Sequence, residues 1–152
     1  AKISDGTTLK NFESIEVSFG KGNDVVKSVG TASSVRFFGY AGNDTLSGGT
    51  GNDLLLGDLG NDLIWGEAGR DTLSGGAGAD RFIFEAGSGS DLISDWEDGI
   101  DRILIRGTGY DALSDLTVRS GDGHIVISFG SSAITLLGVG IDQIDDSDFL
   151  FA

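Results

Sequence analysis

Along residues 39–83 an aspartate recurs at every ninth position: Asp44, Asp53, Asp62, Asp71 and Asp80. The five nonapeptides that carry them are GYAGNDTLS, GGTGNDLLL, GDLGNDLIW, GEAGRDTLS and GGAGADRFI. All share glycine at positions one and four and a large apolar residue at position eight. A carboxylate set among glycines is a donor set for a hard cation. Calcium takes six to eight oxygens in a flexible cage, and a glycine turn leaves its carbonyls free to face an ion while the aspartate supplies charge. Zinc or copper would call for His or Cys, and the chain has no cysteine and one histidine, His124. A single such turn is explained as well by an aspartate hydrogen-bonding its own backbone; five in phase are not.

Those carboxylates need elements that bring them together. A nine-residue period fits neither an α-helix nor a heptad, and glycine at this density costs a helix roughly 1 kcal/mol per residue. The workable unit is a six-residue turn, GGxGxD, followed by a three-residue strand, xUx, whose middle side chain points inward. Two units make one coil of eighteen residues. Leu46, Ile64 and Phe82 then stack on one wall and Leu55 and Leu73 on the other. The turns ending in Asp44, Asp62 and Asp80 line one edge, and those ending in Asp53 and Asp71 line the other. Position two holds Tyr40, Asp58 and Glu67 in three repeats, so it is expected to tolerate a side chain.

The flanks continue the pattern less strictly. Residues 12–38 read as degenerate rungs: Gly22, Asp24 and Val26 keep the spacing, and Ile15, Val17 and Phe19 alternate onto one face. Downstream the period slips by two, and Gly89, Asp91 and Ile93 restore it, as do Gly99, Asp101 and Ile103. Asp98 and Asp101 read as turn and cap residues. Residues 124–139 alternate about a Gly-Ser-Ser turn and predict a β-hairpin that caps the open end of the coil. Phe149 and Phe151 predict a last strand packed inward. The chain reads as a single domain over 1–152, with a regular roll at 39–83, a junction at 84–106 and a cap at 107–152.

Composition narrows the function. Twenty-six of 152 residues are glycine, and the net charge is −14, so a folded form repels itself unless something positive binds. A clustered Lys/Arg footprint is missing, which argues against nucleic acid and anionic membrane surfaces as partners. Without cysteine there is no disulfide staple. No stretch is long and apolar enough for a membrane span, and AKISDGTTLK lacks the basic region and apolar run of a cleaved export signal. H-E-x-x-H and G-x-S-x-G are both absent, His124 reads as a structural strand residue, and in-register aspartates suit calcium better than glycosidase chemistry. No catalysis is expected of this chain.

The block 39–83 resembles the RTX (repeats-in-toxin) calcium-binding β-rolls, whose consensus is GGxGxDxUx. The stretch DRFIFEAGSGSDLISDWEDGIDRILI resembles the roll-to-cap junction of that family, including the C-terminal domains of serralysin-type proteases. The tail DSDFLFA resembles the end of bacterial type I secretion substrates, which carry an uncleaved C-terminal export signal. The resemblance implies an all-β fold: a parallel β-roll, a right-handed β-solenoid, with a C-terminal antiparallel β cap. It implies ions between stacked turns, held by Asp44, Asp53, Asp62, Asp71 and Asp80, with Asp91 and Asp95 finishing the last sites; Asp24, in the degenerate rungs, reads either as a further ligand or as a solvated turn residue. The loop carbonyls implied are those of Gly39, Ala41 and Gly42, of Gly48, Gly49, Thr50 and Gly51, and of Gly57, Asp58, Leu59 and Gly60. Those of Gly66, Glu67, Ala68 and Gly69 and of Gly75, Gly76, Ala77 and Gly78 complete the set. Roughly three to six calcium ions are expected. The implied function is a monomeric module of a secreted, extracellular bacterial protein that folds on calcium outside the cell after engaging the type I secretion apparatus. Two alternatives stand beside it: a calcium-rigidified adhesin spacer, and a polysaccharide-binding module like the R-modules of alginate epimerases. For the latter, Arg70, Arg81 and Trp65 are the candidate ligand surface, with Arg102 and Arg106 as further cations.

Overall fold

The computed structural model describes residues 7–10, 14–29 and 34–152, the first of these as backbone only. Parts of the expected degenerate rungs, residues 12–13 and 30–33, lie outside them, as do residues 1–6. In chain order the strands are β1 (Thr7–Lys10), β2 (Ile15–Ser18), β3 (Val25–Val29), β4 (Val35–Phe38), β5 (Thr45–Gly51), β6 (Leu54–Leu59), β7 (Leu63–Gly69) and β8 (Thr72–Ala77). They continue as β9 (Arg81–Glu85), β10 (Ser90–Ile93), β11 (Arg102–Arg106), β12 (Thr117–Gly121), β13 (His124–Phe129), β14 (Ser132–Leu137) and β15 (Phe149–Phe151). The described residues contain no α-helix, only short 3-10 turns.

Successive strands alternate between two sheets, ordered β1-β3-β5-β7-β9-β11-β15 and β12-β13-β14-β10-β8-β6-β4-β2. Every pairing between coils is parallel, and only β12-β13-β14 is antiparallel. This is a β-roll with an antiparallel cap. One wall of its core is the register Val26, Leu46, Ile64, Phe82, Ile103 and Phe149. The other is Val17, Phe37, Leu55, Leu73, Ile93 and Leu136. All twelve side chains are buried, each contributing about 1.5–3 kcal/mol of apolar burial. The slipped repeats rejoin the stack because only their apolar residue must land on the wall; the turn absorbs the extra residues.

The strands are longer than three residues: β5 and β7 each have seven. The alternation of apolar residues marks only where side chains point inward. Turn backbones also pair with the coil beside them, as Gly49 with Glu67 and Thr50 with Ala68, and so extend the ladder. Position two is not simply tolerant. Tyr40, Asp58 and Glu67 are the only non-glycine residues among those described with positive φ, at 71°, 73° and 70°, a left-handed conformation that costs an L-residue about 1–2 kcal/mol. Position four must be glycine for two reasons. Gly60 has φ 140°, and the carbonyl of Gly42 in the coil below occupies the place of its Cβ.

The cap grows out of the roll. The β13–β14 hairpin turns at Gly130 and Ser131, and β14 then joins β10 in parallel. Ser132 Oγ accepts the N–H of Gly87 at 3.1 Å, tying the hairpin tip to the irregular turn before β10. At the C-terminus β15 pairs with β11; Phe149 is buried, Phe151 half-buried, and their rings stack at 6.1 Å.

Candidate metal centre

The two edges of the roll each carry a ladder of carboxylates. On the first edge Asp24 N–H donates to Asp44 Oδ1 (2.7 Å), Asp44 N–H to Asp62 Oδ1 (2.7 Å), Asp62 N–H to Asp80 Oδ1 (2.7 Å) and Asp80 N–H to Asp101 Oδ1 (3.0 Å). On the second, Val35 N–H donates to Asp53 Oδ1 (2.8 Å), Asp53 N–H to Asp71 Oδ1 (2.8 Å) and Asp71 N–H to Asp91 Oδ1 (2.9 Å). One oxygen of each carboxylate thus holds two coils together. The other oxygen, Oδ2 of Asp44, Asp53, Asp62, Asp71 and Asp80, is buried with no hydrogen-bond partner. These side chains fold back over the first glycine of their own turn. A Cβ on Gly57 would collide with Asp62 Oδ2 and with the carbonyl of Gly75 in the next coil, so position one is a cradle that glycine keeps open.

A buried carboxylate with an idle oxygen resists ionisation. Burial, more than any neighbouring charge, pushes Asp53 and Asp91 up to about 7 and Asp62, Asp71 and Asp101 to about 6. Asp44 and Asp80 are raised by the same cause. At neutral pH such a ladder is stabilised by protons or by a cation. Among the described residues no three acidic or imidazole side chains converge on one point, so an ion here must draw most of its oxygens from the main chain. The carbonyls of Leu59 and Ala77 already accept the N–H of Gly42 and Gly60 at 2.9 Å, which leaves each a second lone pair. Carboxylate plus carbonyl, with neither sulfur nor nitrogen, fits a hard divalent cation of the calcium type.

The end residues play differing parts. Asp24, half-buried, opens the first ladder and Asp91 closes the second. Asp95 accepts two donors of the fifth turn, Gly75 N–H (3.1 Å) and Gly76 N–H (2.8 Å), and one from the residue before it, Ser74 Oγ (2.5 Å). Its carboxylate therefore clasps a turn. Asp101, read from sequence as a cap residue, ends the first ladder with both oxygens bonded, the second to Glu97 N–H at 3.0 Å. Sequence reasoning missed the asparagines at position five, which form ladders of their own beside the carboxylates. Asn23 Oδ1 accepts Asn43 N–H (2.7 Å), Asn43 Oδ1 accepts Asn61 N–H (2.9 Å), and Asn52 Oδ1 accepts Arg70 N–H (2.9 Å). The recurring Asn-Asp pair was their signal.

The candidate ligand surface is not one surface. Arg81 opens β9 beside Arg102 of β11. Arg70 lies at the opposite edge, in a groove with Arg36 and Asn52. Trp65 is on the outer face of the sheet, where Lys27 and Arg106 lie over its ring at 4.9 and 4.4 Å from the centroid and Arg106 pairs with Glu85 at 2.5 Å. His124 Nδ1 is 3.2 Å from the carbonyl of Asp122, and its ring covers Gly121 on the facing strand.

Parallel coils that bury ladders of half-paired aspartates define a β-solenoid with oxygen-rich turns. Residues 29–55, 47–82 and 56–93 match the RTX calcium-binding nonapeptide repeat (4 copies); this part of the chain is an RTX calcium-binding repeat module. Solved structures agree in fold. The AlgE6R3 subunit of the Azotobacter vinelandii mannuronan C5-epimerase is 28% identical with a TM-score of 0.60, over 91% of this chain and 78% of that one. The AlgE6R2 subunit of the same enzyme, 23% identical with a TM-score of 0.53 over 96% and 93%, shares the fold. The extracellular lipase LipA from Serratia marcescens is 25% identical with a TM-score of 0.50 over 90% of this chain, which spans only 21% of the lipase. No curated protein sequence matches the chain at a significant level.

Proposed function

We propose that this chain is a calcium-driven folding module of a bacterial type I secreted protein, unfolded inside the cell and folded outside it, with the last strand doubling as the export signal. The observation that carries the reading is the set of five buried, unpartnered Asp Oδ2 atoms. They make the roll dependent on a partner that is scarce in cytoplasm and abundant outside. With affinities near ~10⁻⁴ M, ~1 mM calcium contributes about 1.4 kcal/mol per site, so a few ions supply a large part of a small domain's stability. Asp44, Asp53, Asp62, Asp71 and Asp80 hold the ions with carbonyls of their turns, Asp24 and Asp91 finish the ladders, and Asp95 seats the last turn. The work of the module is folding and binding, not catalysis. Far-UV circular dichroism from chelator to several millimolar calcium, with magnesium as control, tests it. A cooperative coil-to-β transition with calcium alone is expected; a β spectrum indifferent to calcium would sink it.

A second reading, a polysaccharide-binding module that assists an attached enzyme, is supported by the likeness to AlgE6R3. Because its arginines sit in separate places, such a module would grip a polymer at two short cationic sites. Saturable, salt-sensitive binding of alginate oligomers to the calcium-loaded protein, lost in Arg70→Ala or Arg81→Ala, would establish it, and no binding would remove it.

A further inference from the structure

Glu67 occupies a backbone position that suits glycine, with φ 70°, yet its side chain is held from two other strands. Ser47 Oγ on β5 donates to Glu67 Oε1. Lys27 Nζ on β3 lies 3.2 Å from the same oxygen, and Lys27 also covers the ring of Trp65 on β7. The anchored carboxylate belongs to turn 66–71, on the edge where the Oδ2 atoms of Asp53 and Asp71 are buried and unpartnered. The residue before Glu67, Gly66, lies against Asp71 Oδ2, and its carbonyl meets the same place beside Gly48 that Asp53 Oδ2 does. Resting on the calcium reading above, we propose that Glu67 is a charge-tuning residue for the ion held between turns 48–53 and 66–71, and that Lys27 sets the strength of that tuning.

Calcium sites are graded by the charge around the ion and by rigidity. Glu67 supplies a fixed negative charge that no equivalent side chain supplies at Gly49 or Gly76, and the Lys27 ammonium partly offsets it. The two residues therefore pull in opposite directions on the ion while supporting one another in the fold. That opposition separates the proposal from a purely structural ion pair, in which loss of either partner weakens the site alike.

The test is isothermal titration calorimetry with calcium chloride on the full chain, at low and at high ionic strength. Glu67→Gln, which keeps the size and an acceptor for Ser47, is expected to weaken one class of site about tenfold, the effect of one nearby unit charge. Lys27→Met is expected to tighten the same class several-fold, roughly, and both differences should shrink in high salt. Glu67→Gly guards against a folding artefact: it suits the left-handed backbone, and should weaken the same class of site while the calcium-saturated form keeps its β spectrum. Weakening by both Glu67→Gln and Lys27→Met, or no change in either while the wild type binds, overturns the proposal and leaves the calcium reading intact. A wild-type chain that takes up no calcium overturns both.

Discussion

Asp44, Asp53, Asp62, Asp71 and Asp80 each divide their two oxygens between two tasks: Oδ1 accepts a backbone N–H from the coil below, and Oδ2 is left over. Asparagine can do the first task but not the second. Asp71→Asn is therefore expected to raise stability in chelator at pH 8 by about 1–3 kcal/mol, since it removes a buried charge pushed up to about 6. In calcium the same change should lower stability; the residual far-UV β signal in chelator reads the first sign and thermal unfolding in calcium the second. Glycine roles differ by position. Gly57→Ala drives a methyl group into the Asp62 carboxylate and the Gly75 carbonyl and should cost about 3 kcal/mol. Tyr40→Gly relieves a left-handed tyrosine and should gain about 1 kcal/mol, measured by urea titration. The invariance of positions one and four was visible in the letters. The strain at position two was not, because a variable position looks permissive until its φ is known.

At the scale of elements the roll is two stacked walls joined by turns. Phe82 sits mid-stack between Ile64 and Ile103, fully buried and 6.4 Å from the Trp96 ring. Phe82→Ala should destabilise the calcium-loaded form by about 3–5 kcal/mol, checked by denaturant unfolding. The cap depends on a smaller contact. Ser132→Ala removes the acceptor for Gly87 N–H and should cost about 1 kcal/mol, with faster amide exchange at Gly87 as its local sign. The period of nine foretold both walls, since a buried residue must recur on a fixed face. It underestimated strand length, because backbone pairing within the turns depends on the coil alongside, which no single repeat contains.

For the whole molecule, a net charge of −14 and a set of buried carboxylates make protons and calcium rival ligands. Asp53 and Asp91 stand near 7 and Asp62, Asp71 and Asp101 near 6, against an ordinary value of 3.8 in the unfolded chain. Between pH 4 and 7 the folded form consequently holds more protons than the unfolded one. Stability in chelator is then greatest below pH 4 and falls as pH climbs to 7. Calcium should reverse that slope, because the deprotonated ladder is the form that binds it. The far-UV β signal in chelator is expected to be larger at pH 4.5 than at pH 8, and the urea midpoint in calcium to be higher at pH 8 than at pH 4.5; parallel profiles would mean that the carboxylates are not the linked groups.

Repeat period, residue type and charge determined by themselves that this chain coils, which residues face inward, and that oxygen-rich turns await a hard cation, since those properties follow from spacing and chemistry along one strand. Only the tertiary structure decided the rest. It set Asp95 to clasp a turn, placed Asp101 at the end of a ladder, separated Arg70 from Arg81, and gathered Lys27, Ser47 and Trp65 around Glu67. Each of these depends on which coil lies beside which, and that is fixed by where the irregular turns absorb their extra residues.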